Sequence, residues 1–578
     1  MLAAPGSSTS PLVRKLTLVA VACLAALAAA GGMARAAGPG SANPSFGQGG
    51  IATLPSDTRV FGEAFQSDGK LILVGQRGVK SGATLIVARL TGSGSLDGSF
   101  GGGVVAGPQI NSSFGSGSIG HGVAVQRDGK IVVVGQATDT GGTGTFGMLI
   151  ERFNSNGTLD SSFGSGGVAK ALAAQFGDAY AVAIQPDGKI IAVGSVNSPS
   201  GGTLVGVARL NSNGSLDSSF GSGGTSVLNL GDDSVALAVA LQSDGKIVIT
   251  GSQAPGLQVP NALIARLTPS GALDTSFNGS GAYAHQYAIG AANSSFNGVA
   301  VQSNGDIVAA GAATNGNTGA DAIVARFTKS GGIDTSFGNG GPNHASYQTS
   351  AVNTFVSGTT VPGGTGVALA PNGDILVGGT YSNAGLTNIR VWALKSNGAL
   401  DGGFGSGGVA STAFGSSVMG EGNSLAIAPG GTIAVGGDTK QPSGVYSGVA
   451  TSYLGFGKQP AGALKLSLSG VSGTQKTSNV VKRGLKVTVS CNEACSIKAA
   501  IVISASTAKR LHLGKRQLTI ASASASLRAA GKKTITLRLN RKYTKSIGKQ
   551  KTLAVKLSVS AKSGAKHVST TRNIRFKR

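Results

Sequence analysis

A unit of about sixty residues recurs along most of this chain, and that recurrence limits its folds more than any other feature. Turn glycines stand at Gly69, Gly129, Gly188, Gly245, Gly305, Gly373 and Gly431, at nearly even intervals of which the longest precedes Gly373. Six residues after each comes a second glycine: Gly75, Gly135, Gly194, Gly251, Gly311, Gly379 and Gly437. Repeats of this length make solenoids, propellers or arrays. In the clearest copy, Phe220-Gly221-Ser222-Gly223-Gly224 leads into an apolar run. Ala238 to Gln242, Lys246 to Gly251 and Leu263 to Leu267 follow. Asp244-Gly245 between two β-like runs is a hairpin signal, because glycine accepts the positive φ of such a turn. Four strands per unit and seven units predict an all-β chain built on a seven-bladed β-propeller. A β-solenoid fits less well, because its coils are much shorter.

The ends of the repeat region fit a closed ring. A Leu-Asp-x-Ser-Phe element or close variant precedes units two to seven at Asp97, Asp160, Asp217, Asp274, Asp334 and Asp401. None follows Leu454, whereas Asn43-Pro44-Ser45-Phe46 stands near the N-terminus as a degenerate copy. This segment is expected to complete the seventh blade.

Taken together, the recurring Asp-Gly-Lys-Ile-Val, Ala-Arg-Leu and Asn-Gly-Ser-Leu-Asp-x-Ser-Phe-Gly-x-Gly-Gly elements resemble the bacterial delta-60 repeat β-propeller family. The likeness runs from Asn43 to Leu454 and implies a secreted propeller. It brings no catalytic residues with it. Units six and seven depart from the pattern: Asn372 and Gly430 replace the turn Asp, and Ala393 and Tyr453 replace the strand Arg.

Arg89, Arg152, Arg209, Arg266 and Arg326 each precede Asp97, Asp160, Asp217, Asp274 and Asp334 by eight residues. An anion-binding ring is one reading of these arginines. Pairing within the scaffold is favoured, since active sites break symmetry and Arg grips a carboxylate with a planar fork. Asn211 to Asp217 has oxygen-bearing side chains at alternate positions, as a Ca²⁺ loop would. Asn-Gly turns look the same without a metal, and no bidentate Glu follows, so neither a cofactor nor a metal is expected. His121, His285 and His344 fall in different units with no motif around them, and are expected in exposed loops. No nucleophile elbow, P-loop or HExxH occurs, so the chain is not expected to be an enzyme. An axial pocket holding unpaired His, Glu or Arg would favour one, because propeller sites assemble from several blades. The uniform turns should share one end of the propeller. The irregular connections, such as 107–120, 137–146, 338–365 and 381–388, should share the other, where binding is expected.

Residues 1–36 read as a secretory signal, with Arg14-Lys15, an apolar run from Leu16 to Ala30 and Ala34-Arg35-Ala36 for cleavage. Cys23 sits badly for a lipoprotein box, because Ala20 precedes it and the apolar run continues past it. No other segment is long enough to span a bilayer, so the mature chain is expected to be extracellular.

Residues 37–458 form the near-neutral repeat region, and 459–578 a second, cationic domain. From Pro460 onward there are 26 basic residues and one acid, Glu493, within a whole-chain net charge of +25. Alternation at Leu485 to Val489, Thr534 to Leu539 and Leu553 to Val559 predicts antiparallel strands with one solvated face. About seven such strands suggest an immunoglobulin-like β-sandwich, with a short helical turn at Lys542 to Gly548. Cys491 and Cys495 read as a disulfide in an exported chain, provided Asn492 to Ala494 turn the backbone. Zinc lacks a recognisable ligand set, since His512 and His567 are distant. The basic faces suit an anionic envelope polymer or glycan, although lysines can also serve solubility. Tyr543 and Phe576 are too few aromatics for base stacking, so sequence-specific nucleic-acid binding is not expected. A protein partner stays open. The expected role is a secreted surface binding or scaffold protein, with an extracellular polymer hydrolase or lyase as the alternative.

Overall fold

A computed structural model describes residues 38–578, apart from 79–82, 107–116, 139–146, 173–176, 232, 255–258, 288–292, 316–318, 339–365, 384–385, 457–465, 492–494, 528–530 and 564–565. The expected signal at 1–36 and His344 lie outside the described residues, as do most of the irregular connections. The chain divides into two units, 1–457 and 458–578.

The first unit is all β. Each repeat folds into an antiparallel sheet whose strands pair in sequence order, and most of these sheets have four strands, as propeller blades do. In the first, Thr58–Phe65 pairs with Leu71–Arg77, then Thr84–Leu90, then Val104–Ala106. Seven such sheets occur among the described residues of this unit. The apolar run after Phe-Gly-x-Gly-Gly is therefore the outer strand of the sheet before it, not the first strand of the next. It folds back because Val104 to Ala106 pairs with Ala88 to Ile86 of its own sheet. The Asp-Gly-Lys and Leu-Asp-x-Ser-Phe turns lie together at one end of the strands, as Lys70 with Asp97 shows.

The first strands of successive sheets pack against one another, and Thr58–Phe65 packs against Ala426–Ile427 and Ile433–Lys440 of the last sheet. The N-terminal strand Ile51–Ser56 pairs with Tyr446–Tyr453, so it is the outer strand of that last sheet. Asn43 Nδ2 donates to Ser452 Oγ at 3.3 Å beside this pairing. Apolar cores fill the spaces between neighbouring sheets. Ile72, Val74, Leu85 and Val87 meet Ile131 and Val133 between the first two, while Val60, Leu71 and Leu73 meet Ala434 and Ala450 across the closure. The repeat phenylalanines Phe100, Phe163, Phe220, Phe277, Phe337 and Phe404 are all buried, as is Phe46. Each repeat thus supplies one large apolar plug, and burying a Phe side chain contributes on the order of 2 kcal/mol.

The second unit holds two sheets around one core. Leu466–Ser469, Leu485–Cys491 and Gly531–Leu537 form the first. The second runs Thr474–Lys476, Lys566–Lys577, Thr552–Ser563, Cys495–Ile503 and Leu518–Leu527, with the first pair parallel. Val487, Ile497, Leu557 and Phe576 meet in the shared core. The helical turn expected near Lys542 is the helix Arg541–Gly548, begun by the Asn540 side chain accepting from Lys542 N. Two further short helices, Thr477–Arg483 and Ala505–Arg510, gave no clear sequence signal. They fill connections rather than alternate. No described helix is long and apolar enough to cross a membrane.

Candidate functional site

The repeated polar residues converge at the uniform end of the sheets. Arg89 Nε donates to Asp97 Oδ2 at 2.8 Å, and Lys70 Nζ lies 2.8 Å from the same oxygen. Ser99 Oγ donates to Asp97 Oδ1 at 2.7 Å. Arg89 also donates to the Ser155 carbonyl of the next sheet, and its guanidinium lies over Phe100 at 4.6 Å from the ring centroid. The same pairs recur at Arg152–Asp160, Arg209–Asp217 and Arg266–Asp274, with Lys130, Lys189 and Lys246 as the second cation. Arg326 and Asp334 pair at 2.7 Å, but Asp306 stands where the lysine would be.

Lys70 and Ser99, with Arg89, hold the Asp97 carboxyl well below the usual carboxylate range, and Lys189 and Ser219 do the same at Asp217. At Asp160 and Asp274 burial pushes the other way and is outweighed by these partners. Each arginine therefore ties one sheet to the next through a carbonyl there while its own sheet's aspartate holds it in place, leaving little capacity for a ligand. The lysine and the phenylalanine were not read from sequence as part of this cluster, although both recur at fixed offsets.

In the sixth sheet the pattern fails. Ala393 replaces Arg, and Asp374 occupies the lysine position. Burial raises the Asp374 carboxyl, and the Asp401 charge adds to that rise. Lys395 stays 3.8 Å from Asp401.

The second recurring glycine marks a different place. In the first strand of the first sheet, Val60 pairs with Gly75 and Gly62 with Val74, so Phe61 bulges out of register. The same shift falls at His121, Tyr180, Leu237 and Asn297 in the next four sheets. A Cβ on Gly75 would lie 1.8 Å from the Arg59 carbonyl oxygen, and one on Gly135 1.8 Å from that of Ile119. Glycine is therefore required opposite each bulge, and bulges re-aim side chains. The glycines were legible in sequence, but the register shift they permit was not.

His121 is buried in the strand Gly117–Val125, contrary to the exposed loop expected for it, because the bulge turns it between Phe61 and Tyr180. Its ring lies 5.7 Å from Phe61 and 5.0 Å from Tyr180, centroid to centroid. Burial pushes its imidazole down to about 4, against a hydrogen bond with Gln136 that favours the charged form. With its nitrogen toward Asp178, the Gln136 amide donates to Oδ1 at 3.2 Å and Oδ2 at 3.3 Å. Tyr180 Oη is 3.4 Å from Asp178 Oδ2, and burial with the Asp178 charge pushes the phenol up to about 12. Nε2 of His121 has no partner among the described residues.

Beside this group, Arg59 bonds Asp438 at 2.7 Å and Glu421 at 3.2 Å, with its guanidinium over Tyr446 and Phe61. Burial raises the Asp438 carboxyl to about 6 despite the Arg59 charge. Glu63 takes the place held by Val123, Val182, Val239 and Val299 in other first strands, and burial pushes it up to about 8. His285 lies in the strand Ala282–His285, its ring 4.7 Å from Tyr287.

The Asn211–Asp217 loop uses its oxygens internally. Asn213 Oδ1 accepts from Ser215, and Asp217 is held by Arg209, Lys189 and Ser219. Among the described residues no cluster of three metal-ligating side chains occurs. Cys491 and Cys495 form a disulfide with their Cα atoms 6.6 Å apart, which leaves no thiolate for zinc. In the second unit, Lys498, Lys556 and Lys562 are exposed on the outer face of one sheet, and Lys486, Lys532 and Arg538 on the other. Among the described residues no cation of this unit pairs with an acid.

The family model described as a β-propeller domain of unknown function (DUF5122) matches residues 66–100, 126–163, 185–220, 242–277, 302–337 and 370–404. Each match runs from the Asp-Gly-Lys turn, or its variant, to the buried phenylalanine. No curated protein matches the sequence. Among solved structures, the chain is similar to a protein of unknown function from Dyadobacter fermentans DSM 18053. That likeness has TM-score 0.36 and 10% identity, and covers 71% of this chain and 100% of the other. Polysaccharide lyase Uly1 gives 0.38 and 13%, over 69% and 90% of the two chains. PorZ, a bacterial surface component of the type-IX secretion system of Porphyromonas gingivalis, gives 0.32 and 10%, over 89% and 59%. These distant likenesses carry no argument about function. The six matched segments make this a chain of β-propeller repeats.

Proposed function

We propose that the chain is a secreted surface protein of the delta-60 type, with a seven-bladed propeller as interaction platform and an immunoglobulin-like sandwich as anchor. The sandwich attaches it to an anionic envelope polymer or glycan. The observation that carries this reading is the unpaired cationic surface of the second unit. Lys498, Lys556 and Lys562 stand on adjacent strands, since Ser496 is opposite Lys562 and Val502 opposite Lys556. Alternate residues along each strand share a face, which spreads this charge over a surface suited to an extended polyanion. Tyr543 and Phe576 are buried, which supports binding through charge rather than base stacking.

The test is co-sedimentation of the full chain with purified bacterial envelopes across a salt series. The expected result is binding that falls steeply with salt and weakens when Lys498, Lys556 and Lys562 are all changed to Gln. Absence of binding at low salt overturns the reading. The second reading, a hydrolase or lyase acting on an extracellular polymer, is favoured by one observation: a buried neutral imidazole whose Nε2 has no partner among the described residues, close to an amide and a carboxylate. Its test is product release from envelope polymers by the full chain, compared with His121→Phe.

A further inference from the structure

The outer face of the second unit's larger sheet carries hydroxyls between its cations. Lys556 lies between Val502 and Asn573 of the adjacent strands, and Ser558 between Ala500 and Thr571. Further along, Ser560 lies between Lys498 and Ser569, and Lys562 is opposite Ser496. At the rise of an extended strand, Lys556 and Lys562 stand about 20 Å apart. The face is therefore sparsely charged, with neutral polar groups in the intervals.

At one end of this face the surface is concave. The connection that leaves Ile503 runs through the helix Ala505–Arg510 and returns at Leu518. With the sheet it encloses a cleft of about 480 Å³. The sheet contributes Lys556, Ser558, Thr571 and Asn573, and the connection contributes Thr507 and Gln517. Ser504 spends its hydroxyl on the start of the helix, where it accepts from Thr507 N. Lys556, Ser558, Thr571, Asn573 and Gln517 have no side-chain hydrogen bond or ion pair among the described residues, and no described residue lining the cleft is acidic. One ammonium and four neutral donors thus face an open space without being spent on the fold.

We propose that this cleft binds a phosphodiester link of a polyol-phosphate polymer. The inference rests on the reading of the second unit as a polyanion anchor and names the polymer. A phosphodiester spreads one negative charge over two free oxygens, and the polyol beside it carries hydroxyls. Lys556 supplies one point charge for that group. Ser, Thr, Asn and Gln side chains donate to its oxygens, and can both donate to and accept from the hydroxyls. A carboxylate would call for the planar fork of arginine, and no arginine lines the cleft. A uronate or densely sulfated chain carries a charge on nearly every ring, whereas the lysines of this face are spaced with serines between them. No aromatic side chain lines the cleft, so a single nucleic-acid strand finds no stacking platform there.

The experiment is calorimetric titration of the full chain with poly(glycerol phosphate) oligomers. Alginate, chondroitin sulfate and duplex DNA oligomers are compared at equal charge concentration and physiological salt. The expected result is that the glycerol-phosphate oligomer binds tenfold or more tightly than the other three. Lys556→Gln should weaken that binding tenfold or more. Thr571→Val combined with Asn573→Val removes no charge and should weaken it threefold or more. Lys545→Gln, in the helix Arg541–Gly548, should change it less than twofold. All these positions are exposed, so each variant should keep its fold, which circular dichroism checks. Failure of the glycerol-phosphate oligomer to bind overturns the inference, and so does equal affinity for alginate, chondroitin sulfate or DNA. Unchanged affinity in the Thr571→Val, Asn573→Val chain, or equal losses in Lys556→Gln and Lys545→Gln, also overturns it, because summed charge would then suffice. Salt-sensitive envelope binding that persists in any of these cases keeps the anchor reading while the cleft fails. Its absence from the native chain removes both.

Discussion

Replacing Glu151 by Gln should stabilise the chain, and by an amount that depends on pH. Glu151 lies in the third strand of the second sheet, opposite Val133 on one side and Val168 on the other. The equivalent residues elsewhere are Ala88, Ala208, Ala265 and Ala325. It is 0% exposed, and neither carboxyl oxygen has a partner among the described residues. Burial alone pushes its carboxyl from 4.5 up to about 8. Above pH 4.5 the unfolded chain releases this proton while the folded chain keeps it, so stability falls as pH rises until the folded group ionises near 8. Each pH unit in that window is worth about 1.4 kcal/mol. At pH 7 the cost is therefore about 3 kcal/mol. Gln has nearly the same shape and never holds a titrating proton. Urea unfolding of both chains at pH 4, 5, 6, 7 and 8 should show no difference near pH 4 and a gap in favour of Glu151→Gln that widens with pH. Glu63 shifts similarly but is present in both chains, so it cancels. A gap that stays flat from pH 5 to 8 refutes the reasoning, because it would mean that Glu151 is charged and partnered in the folded chain.

Arg209→Lys should destabilise by about 3 kcal/mol despite keeping the charge, because it loses the Pro269 carbonyl and the Phe220 face; chemical denaturation measures this. The clamp aspartates predict acid lability of the propeller. Their stabilising effect is complete above the unfolded carboxylate range and is lost as pH falls toward their lowered folded values, so circular dichroism should show unfolding on acidification below about pH 4. Gly135→Ala should cost about 3 kcal/mol, since its Cβ would meet the Ile119 carbonyl at 1.8 Å. It should also disturb His121 across the bulge, visible in the histidine ¹⁵N spectrum. Cys491→Ser with Cys495→Ser should lower the stability of the second unit by only about 2 kcal/mol, because the closed loop is short, and thermal melting under reducing conditions checks it.

How much of this was legible in the sequence depended on whether a feature repeats locally. The Asp-Gly turns, the buried phenylalanines and the Arg-to-Asp spacing of eight lie within one unit, so periodicity exposes them. Ile51–Ser56 was readable as the missing strand of the last sheet because one Leu-Asp-x-Ser-Phe element was absent at the far end. Phase was harder. The run after Phe-Gly-x-Gly-Gly has the same apolar character whether it opens a sheet or closes one, and only pairing with Ile86 to Ala88 decides. The group around His121 was least legible. Gln136 comes from the next strand and Asp178 from the next repeat, and the three meet only through adjacent sheets. The bulge that turns His121 inward leaves only the opposing Gly135 in the sequence, and a glycine there does not by itself reveal the shifted register.

Repetition therefore separates two kinds of polar residue in this fold. The clamp residues recur because each inter-sheet joint is the same joint, and their carboxylates are saturated by Lys, Arg and Ser. Where the clamp decays, as at Ala393 and Asp374, the chain loses cations without gaining any visible ligand group, so that change weakens a joint rather than builds a site. Glu63, His121 and Asp178 are different. They occur once each, in first strands, where other sheets place Val at the Glu63 position, Phe, Tyr, Leu or Asn at the His121 position and Arg, Ile, Val or Ser at the Asp178 position, and burying them costs stability that apolar residues would not. A neutral repeat protein holding several such costs within three neighbouring sheets, while an otherwise separate unit carries the positive charge, has two chemically distinct surfaces. On the proposed reading, the cationic faces would hold a polyanion through summed charge. The inner group instead places one buried imidazole between two rings, an arrangement that the repeat itself does not impose.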